Sequence, residues 1–155
     1  MRFKHTNGKI IENIAEYIKE YLSQNGYEYE IYIGTDSKVA GNGGITFATV
    51  VAIRKLGKGV HLIYKNEKKK KSHYLGERLW WEVEYSISVA NFLKEEGVLD
   101  NVNLFAIHLD LNKNKKYKSN TILESARGYV TSQGFLCDVK PDAWAASYCA
   151  DMLCR

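Results

Sequence analysis

Between residues 8 and 25, Ile10, Ile14, Ile18 and Leu22 recur at four-residue spacing, with Ile11, Ala15 and Tyr21 beside them. That stripe predicts an amphipathic helix over 8–25, ended by Asn25-Gly26. The period then drops to two. Residues 28–35, with Ile31-Tyr32-Ile33-Gly34-Thr35, read as a strand that delivers Asp36 to its end. Turn residues at 40–44 lead to a second strand, Ile45 to Lys55, and Gly57 and Gly59 lead to a third, Val60 to Lys65. Short loops between three successive strands predict an antiparallel meander. A basic loop, Lys65 to Lys71, precedes a long helical pattern over 74–96, with Leu75, Leu79, Val83, Ile87, Ala90 and Leu93 on one stripe and Gly97 as its stop. A fourth strand, Val102 to Asp110, again ends in aspartate, and a second basic loop follows at 112–118. A helix over 119–130 and a fifth strand over 135–140 come next, and Pro141 is placed to open a last helix. The expected fold is therefore α/β: one domain over 1–155, with a mixed sheet of five strands flanked by helices and a helix ahead of the first strand.

Composition narrows the classes. Hydrophobic residues at 45% and charged residues at 26% suit a globular chain that builds its own core. Three cysteines, Cys137, Cys149 and Cys154, have no zinc-ligand spacing, so thiols in a reducing compartment are expected. No apolar run reaches membrane-spanning length and the N-terminus carries no signal-peptide pattern, which makes the cytoplasm the expected location and a membrane no partner. A net charge of +4 is compatible with a polyanion.

The chemistry lies in the acids. A bare carboxylate at a strand end is costly without a cation opposite it. Asp36 shares a strand face with Gly34 and Tyr32, and Asp110 shares one with His108 and Ala106. If the two strands are parallel neighbours, both acids reach the sheet edge where α/β folds bind ligands. On the long helix Glu82 falls on the shoulder of the apolar stripe, whereas Glu77 and Glu84 fall outside it. In the last segment Asp142 and Asp151 would lie on opposite sides of a helix, so one compact site takes only one of them. Asp142, next to the fifth strand, is the favoured one. Each acid also has an ordinary reading: an Asx turn for Asp36, a turn cap for Asp110, pairing with Arg78 for Glu82, and a helix-terminal charge for Asp142.

The order of elements and acids resembles the ribonuclease H superfamily. More closely, Ile33-Gly34-Thr35-Asp36-Ser37, Glu82-Val83, His108-Leu109-Asp110-Leu111-Asn112, Gly128-Tyr129-Val130 and the run Lys140-Pro141-Asp142-Ala143-Trp144-Ala145-Ala146-Ser147 resemble the YkuK family of bacterial proteins, over about residues 8–155. Lys38 stands where that family leads one to expect glutamine. The resemblance implies a ribonuclease H-like sheet with three antiparallel and two parallel strands. It also implies a nuclease hydrolysing RNA or DNA with two Mg²⁺ or Mn²⁺ ions held by Asp36, Glu82, Asp110 and Asp142. Two lysine groups, Lys68, Lys69, Lys70 and Lys71, and Lys113, Lys115, Lys116 and Lys118, are then candidate nucleic-acid contacts. A non-catalytic nucleic-acid-binding module, or a hydrolase or transferase of small phosphorylated molecules, are the alternatives.

Overall fold

The computed structural model describes residues 2–71, 74–112 and 122–154. Seven strands form one mixed sheet in the order β2-β1-β5-β4-β3-β6-β7. Strands β3 (Tyr29–Val39), β4 (Ile45–Lys55) and β5 (Gly59–Lys69) are the antiparallel meander. Strands β6 (Leu104–Asn112) and β7 (Leu136–Lys140) add on parallel to β3. The helices are α1 (Ile14–Leu22), α2 (Leu75–Glu95), α3 (Leu123–Ser132) and a C-terminal helix whose first part, Ala145–Ala150, is wound as a π-helix before the α-helical turn α4 (Asp151–Leu153).

The sheet has two more strands than the sequence pattern predicts. β1 (Phe3–His5) and β2 (Ile10–Ile11) form a hairpin on the edge of β5. Ile10 keeps phase with the α1 stripe, so periodicity alone extends the helix back to residue 8. The helix instead begins where the Asn13 side chain accepts from the Glu16 N–H, and Gly8, at φ +90°, turns the chain before it. Two other boundaries move. Residues 65–69 are strand rather than loop, because β4 runs on and pairs β5 as far as Ile45 opposite Lys69. Pro141 follows a cis peptide in a turn closed by the Asp142 N–H on the Val139 carbonyl, so the last helix starts only at Ala145.

Alternation along the strands divides the core in two. Ile31, Ile33, Val51, Ile53, Ile107, Leu109 and Leu111 face α1, α2 and α3. Tyr32, Val50, Ala52 and Ala106 face the C-terminal helix, which lays Ala145 and Ala150 on the sheet. Gly34 makes that approach possible: a Cβ there would stand 2.4 Å from the Ala146 backbone nitrogen. Among the described residues no helix is long and apolar enough to cross a membrane.

Candidate active site

The parallel pairing of β3 with β6 ends at Gly34 opposite His108. Beyond it, β3 stays with β4 and β6 stays with β7, so side chains from both faces of the sheet can meet in the gap. Asp36 and Asp110 enter from the face covered by the C-terminal helix. Asp110 keeps the alternation of β6, on the face of Ala106 and His108; beside it β7 is in step with β6 at Leu109 opposite Val139, then falls out of step until Asn112 opposite Lys140. Irregularities of this kind recur beside functional sites. Leu109 and Leu111 stay in the core under α2 and α3, which leaves Asp110 facing the opposite way. Glu82 arrives from the α2 side, one turn beyond Arg78.

One carboxylate oxygen from each of Asp36, Glu82 and Asp110 lies within 4.8 Å of the others. All three are largely out of water; Glu82 is 5% exposed. Burial foremost, with Asp110 and Asp151 nearby, pushes the Asp36 carboxyl up to about 7 even though it accepts from the Ser37 N–H. Burial and then Asp36 raise Glu82 well above the ordinary range. Asp36 and Glu82 therefore share a deficit of positive charge in a low-dielectric gap.

Neighbouring hydroxyls and amines fix the acids in place. The Ser37 hydroxyl donates to Glu82 Oε2 at 2.5 Å, and the Ser147 hydroxyl to Asp110 Oδ1 at 2.9 Å. Lys140 Nζ stands 3.0 Å from the same Asp110 oxygen. Partial burial works against the Lys140 ammonium, but Asp110, Asp36 and Glu82 together outweigh it and hold its pKa above the usual lysine value. Removing the Ser37 hydroxyl leaves a buried carboxylate short of a donor. Ser37→Ala is expected to cost about 1–3 kcal/mol where Glu82 is ionised and less as falling pH protonates it, as urea denaturation across a pH series would measure.

The structure brings Asp36, Glu82 and Asp110 together and leaves Asp142 apart. Asp142 is exposed in the turn before the helix, and its carboxylate acts on His108. The fourth acid beside Asp36 is Asp151, which hydrogen-bonds to it and groups with Asp36 and the buried Cys154. The reason lies in the chain path: the last helix begins three residues after Asp142, and Ser147 and Asp151, four apart beside the small residues Ala146 and Ala150, form the stripe turned toward the acids. That stripe was the available sequence signal for Asp151. His108 is a packing residue. Its Nδ1 accepts from the Ala145 N–H at 3.0 Å, which leaves the proton on Nε2, 3.3 Å from Asp138 Oδ2. Burial, against the pull of Asp138, lowers its pKa, so it seats the start of the helix as a neutral ring.

The lysines divide as well. Lys113, Lys115, Lys116 and Lys118 lie outside the described residues. Lys68 pairs with Thr46, which pairs with Lys38, so both lysines share the Asp36 face of the sheet. Lys69 turns to the other face and lies 4.6 Å over the Trp81 ring. Lys70 and Lys71 are exposed beyond the strand.

The family model for ribonuclease H-like proteins matches residues 9–155. The uncharacterized protein YkuK of Bacillus subtilis (strain 168) is 26% identical over 149 residues, covering 87% of this chain and 85% of that protein. No solved structure matches the chain.

Proposed function

Because this chain belongs to the ribonuclease H-like family, we propose that it is a divalent-metal-dependent nuclease that hydrolyses phosphodiester bonds of RNA or DNA. The observation that carries this reading is the meeting of Asp36, Glu82 and Asp110, from three separate elements, with ligand oxygens within 4.8 Å. The donor set fits Mg²⁺ or Mn²⁺: hard carboxylate oxygens, no imidazole, and two carboxyls whose raised pKa values a bound cation would lower. A bound ion of this kind supplies Lewis-acid polarisation of the phosphate and a more acidic water. The chain's own task is to hold the three acids before the ion arrives. Ser37 aims Glu82, and Ser147 aims Asp110. The backbone of β3 carries Asp36 between them.

Lysines on the Asp36 face suit the phosphate backbone on either side of the scissile bond, a contact that positions without reading sequence. Lys68→Ala is expected to weaken oligonucleotide binding and reduce the slope of log K against log salt by about 1. Lys69→Ala, on the opposite face against Trp81, is expected to leave the slope unchanged. A salt titration of both variants measures the difference. The test of the function itself is cleavage of end-labelled RNA, DNA and hybrid substrates with Mn²⁺. Metal-dependent cleavage of at least one supports the reading, and intact substrate in every case contradicts it.

A further inference from the structure

The family resemblance implies two ions, yet the acids already hold cations of the chain's own. Lys140 Nζ sits 3.0 Å from Asp110 Oδ1 and also feels Asp36 and Glu82. Lys38 Nζ sits 3.5 Å from Asp151 Oδ1. We propose, on the premise of the metal-dependent reading above, that Lys140 takes the place of the second ion. The centre then binds one divalent cation, at Asp36, Glu82 and Asp110, and the Lys140 ammonium presents the other positive charge to the substrate phosphate.

Charge and ligand chemistry both lead there. Fully ionised, Asp36, Glu82, Asp110 and Asp151 carry four negative charges, and Lys38 and Lys140 offset two of them. One divalent ion neutralises the remainder, whereas a second would confine two excess positive charges in the same gap. The remaining grouping of ligand atoms near Asp36 is poorly suited to a hard ion. Among the described residues it consists of Asp36, Asp151 and the Cys154 sulfur; Asp151 is engaged by Lys38 and a buried thiol is a soft donor, so the place a second hard ion would take is the Asp110 side, which Lys140 Nζ already fills. Lys140 is delivered by architecture rather than chance. It is the last residue of β7, opposite Asn112 and just past the irregularity beside Asp110. The turn at Pro141 then carries the chain away toward the C-terminal helix. Because Lys140 is 39% exposed, its ammonium can reach a phosphate oxygen without leaving the acids far behind.

Titration of the full chain with MnCl₂ by calorimetry at pH 7.5 tests this. Wild type is expected to bind one ion, Lys140→Met two, and Lys140→Arg, which keeps the charge, one. The first ion should also bind Lys140→Met about tenfold more tightly, the factor that one charge about 6 Å from a doubly charged ion gives even at the dielectric constant of water. Two ions in the wild type, or one in folded Lys140→Met, overturns the inference and leaves the metal-dependent reading standing. No binding to any variant overturns both. Thermal melts report whether Lys140→Met folds; if it does not, the wild-type stoichiometry decides alone, one ion for and two against.

Discussion

Asp36→Asn is expected to abolish metal-dependent cleavage while making the ion-free protein more stable. Asp36 is the acid common to both groupings of ligand atoms, and losing it removes several kcal/mol of ion-mediated transition-state stabilisation, about a thousandfold or more in rate. Stability moves the other way. The Asp36 carboxyl sits at about 7 in the fold against 3.8 ordinarily. Between those values the folded chain keeps a proton that the unfolded chain has released. Stability contributed by Asp36 therefore falls as pH rises from about 4 to 7 and stays low above that, by up to about 4 kcal/mol. Asparagine has no charge to bury and escapes this loss. Thermal melts of the variant at pH 8 should exceed wild type by several degrees and converge with it near pH 4. Saturating Mn²⁺ should raise the wild-type midpoint far more at pH 8 than at pH 5.5, because ion binding and protonation compete for the same oxygens. The variant should show little of that shift.

Gly34→Ala is the other large effect. The new methyl would lie 2.4 Å from the Ala146 nitrogen and 2.7 Å from the Ala145 carbonyl carbon and the Ala146 Cα. These are backbone atoms of the helix docked on the sheet, so no rotamer change relieves the clash. A loss of about 3 kcal/mol is expected, a fall of roughly 6–12 °C in melting temperature for a chain of this length. The helix that must lift also carries Ser147 to Asp110 and Asp151 to Asp36, so affinity for Mn²⁺ should fall with stability. Gly128→Ala is the control. Gly128 lies within α3, and a Cβ there meets nothing within 4 Å; helix propensity predicts a gain of up to about 1 kcal/mol.

Periodicity made the meander, α2 and the strands carrying Asp36 and Asp110 legible, because each buries a face whose pattern repeats over many residues. Glu82 was legible for the same reason, as an acid on the edge of an apolar stripe. What periodicity misled on was phase. Ile10 fits the α1 stripe yet belongs to a two-residue strand, and the Asn7-Gly8 turn was the signal that should have separated them. Asp142 was preferred to Asp151 on the assumption that the helix starts at Pro141. The actual start at Ala145 places Asp142 outside the helix and turns Asp151 inward. Lys140 stood in the resembling run, but its place beside the acids was not visible. Its place beside Asp110 depends on the register of β7 against β6 and on the irregularity at 109–112, and neither follows from the local pattern of either strand. Nor does a run of lysines announce that Lys68 and Lys69 face opposite sides of one sheet, unless the strand is known to continue through them.

The most direct measurement is a crystal of the full chain grown with MnCl₂ at pH 8 and examined at the manganese absorption edge. An anomalous peak within about 2.3 Å of oxygens from Asp36, Glu82 and Asp110 together is the predicted result. Ordered carboxylates with no peak among them, or manganese held elsewhere on the surface, would contradict the account.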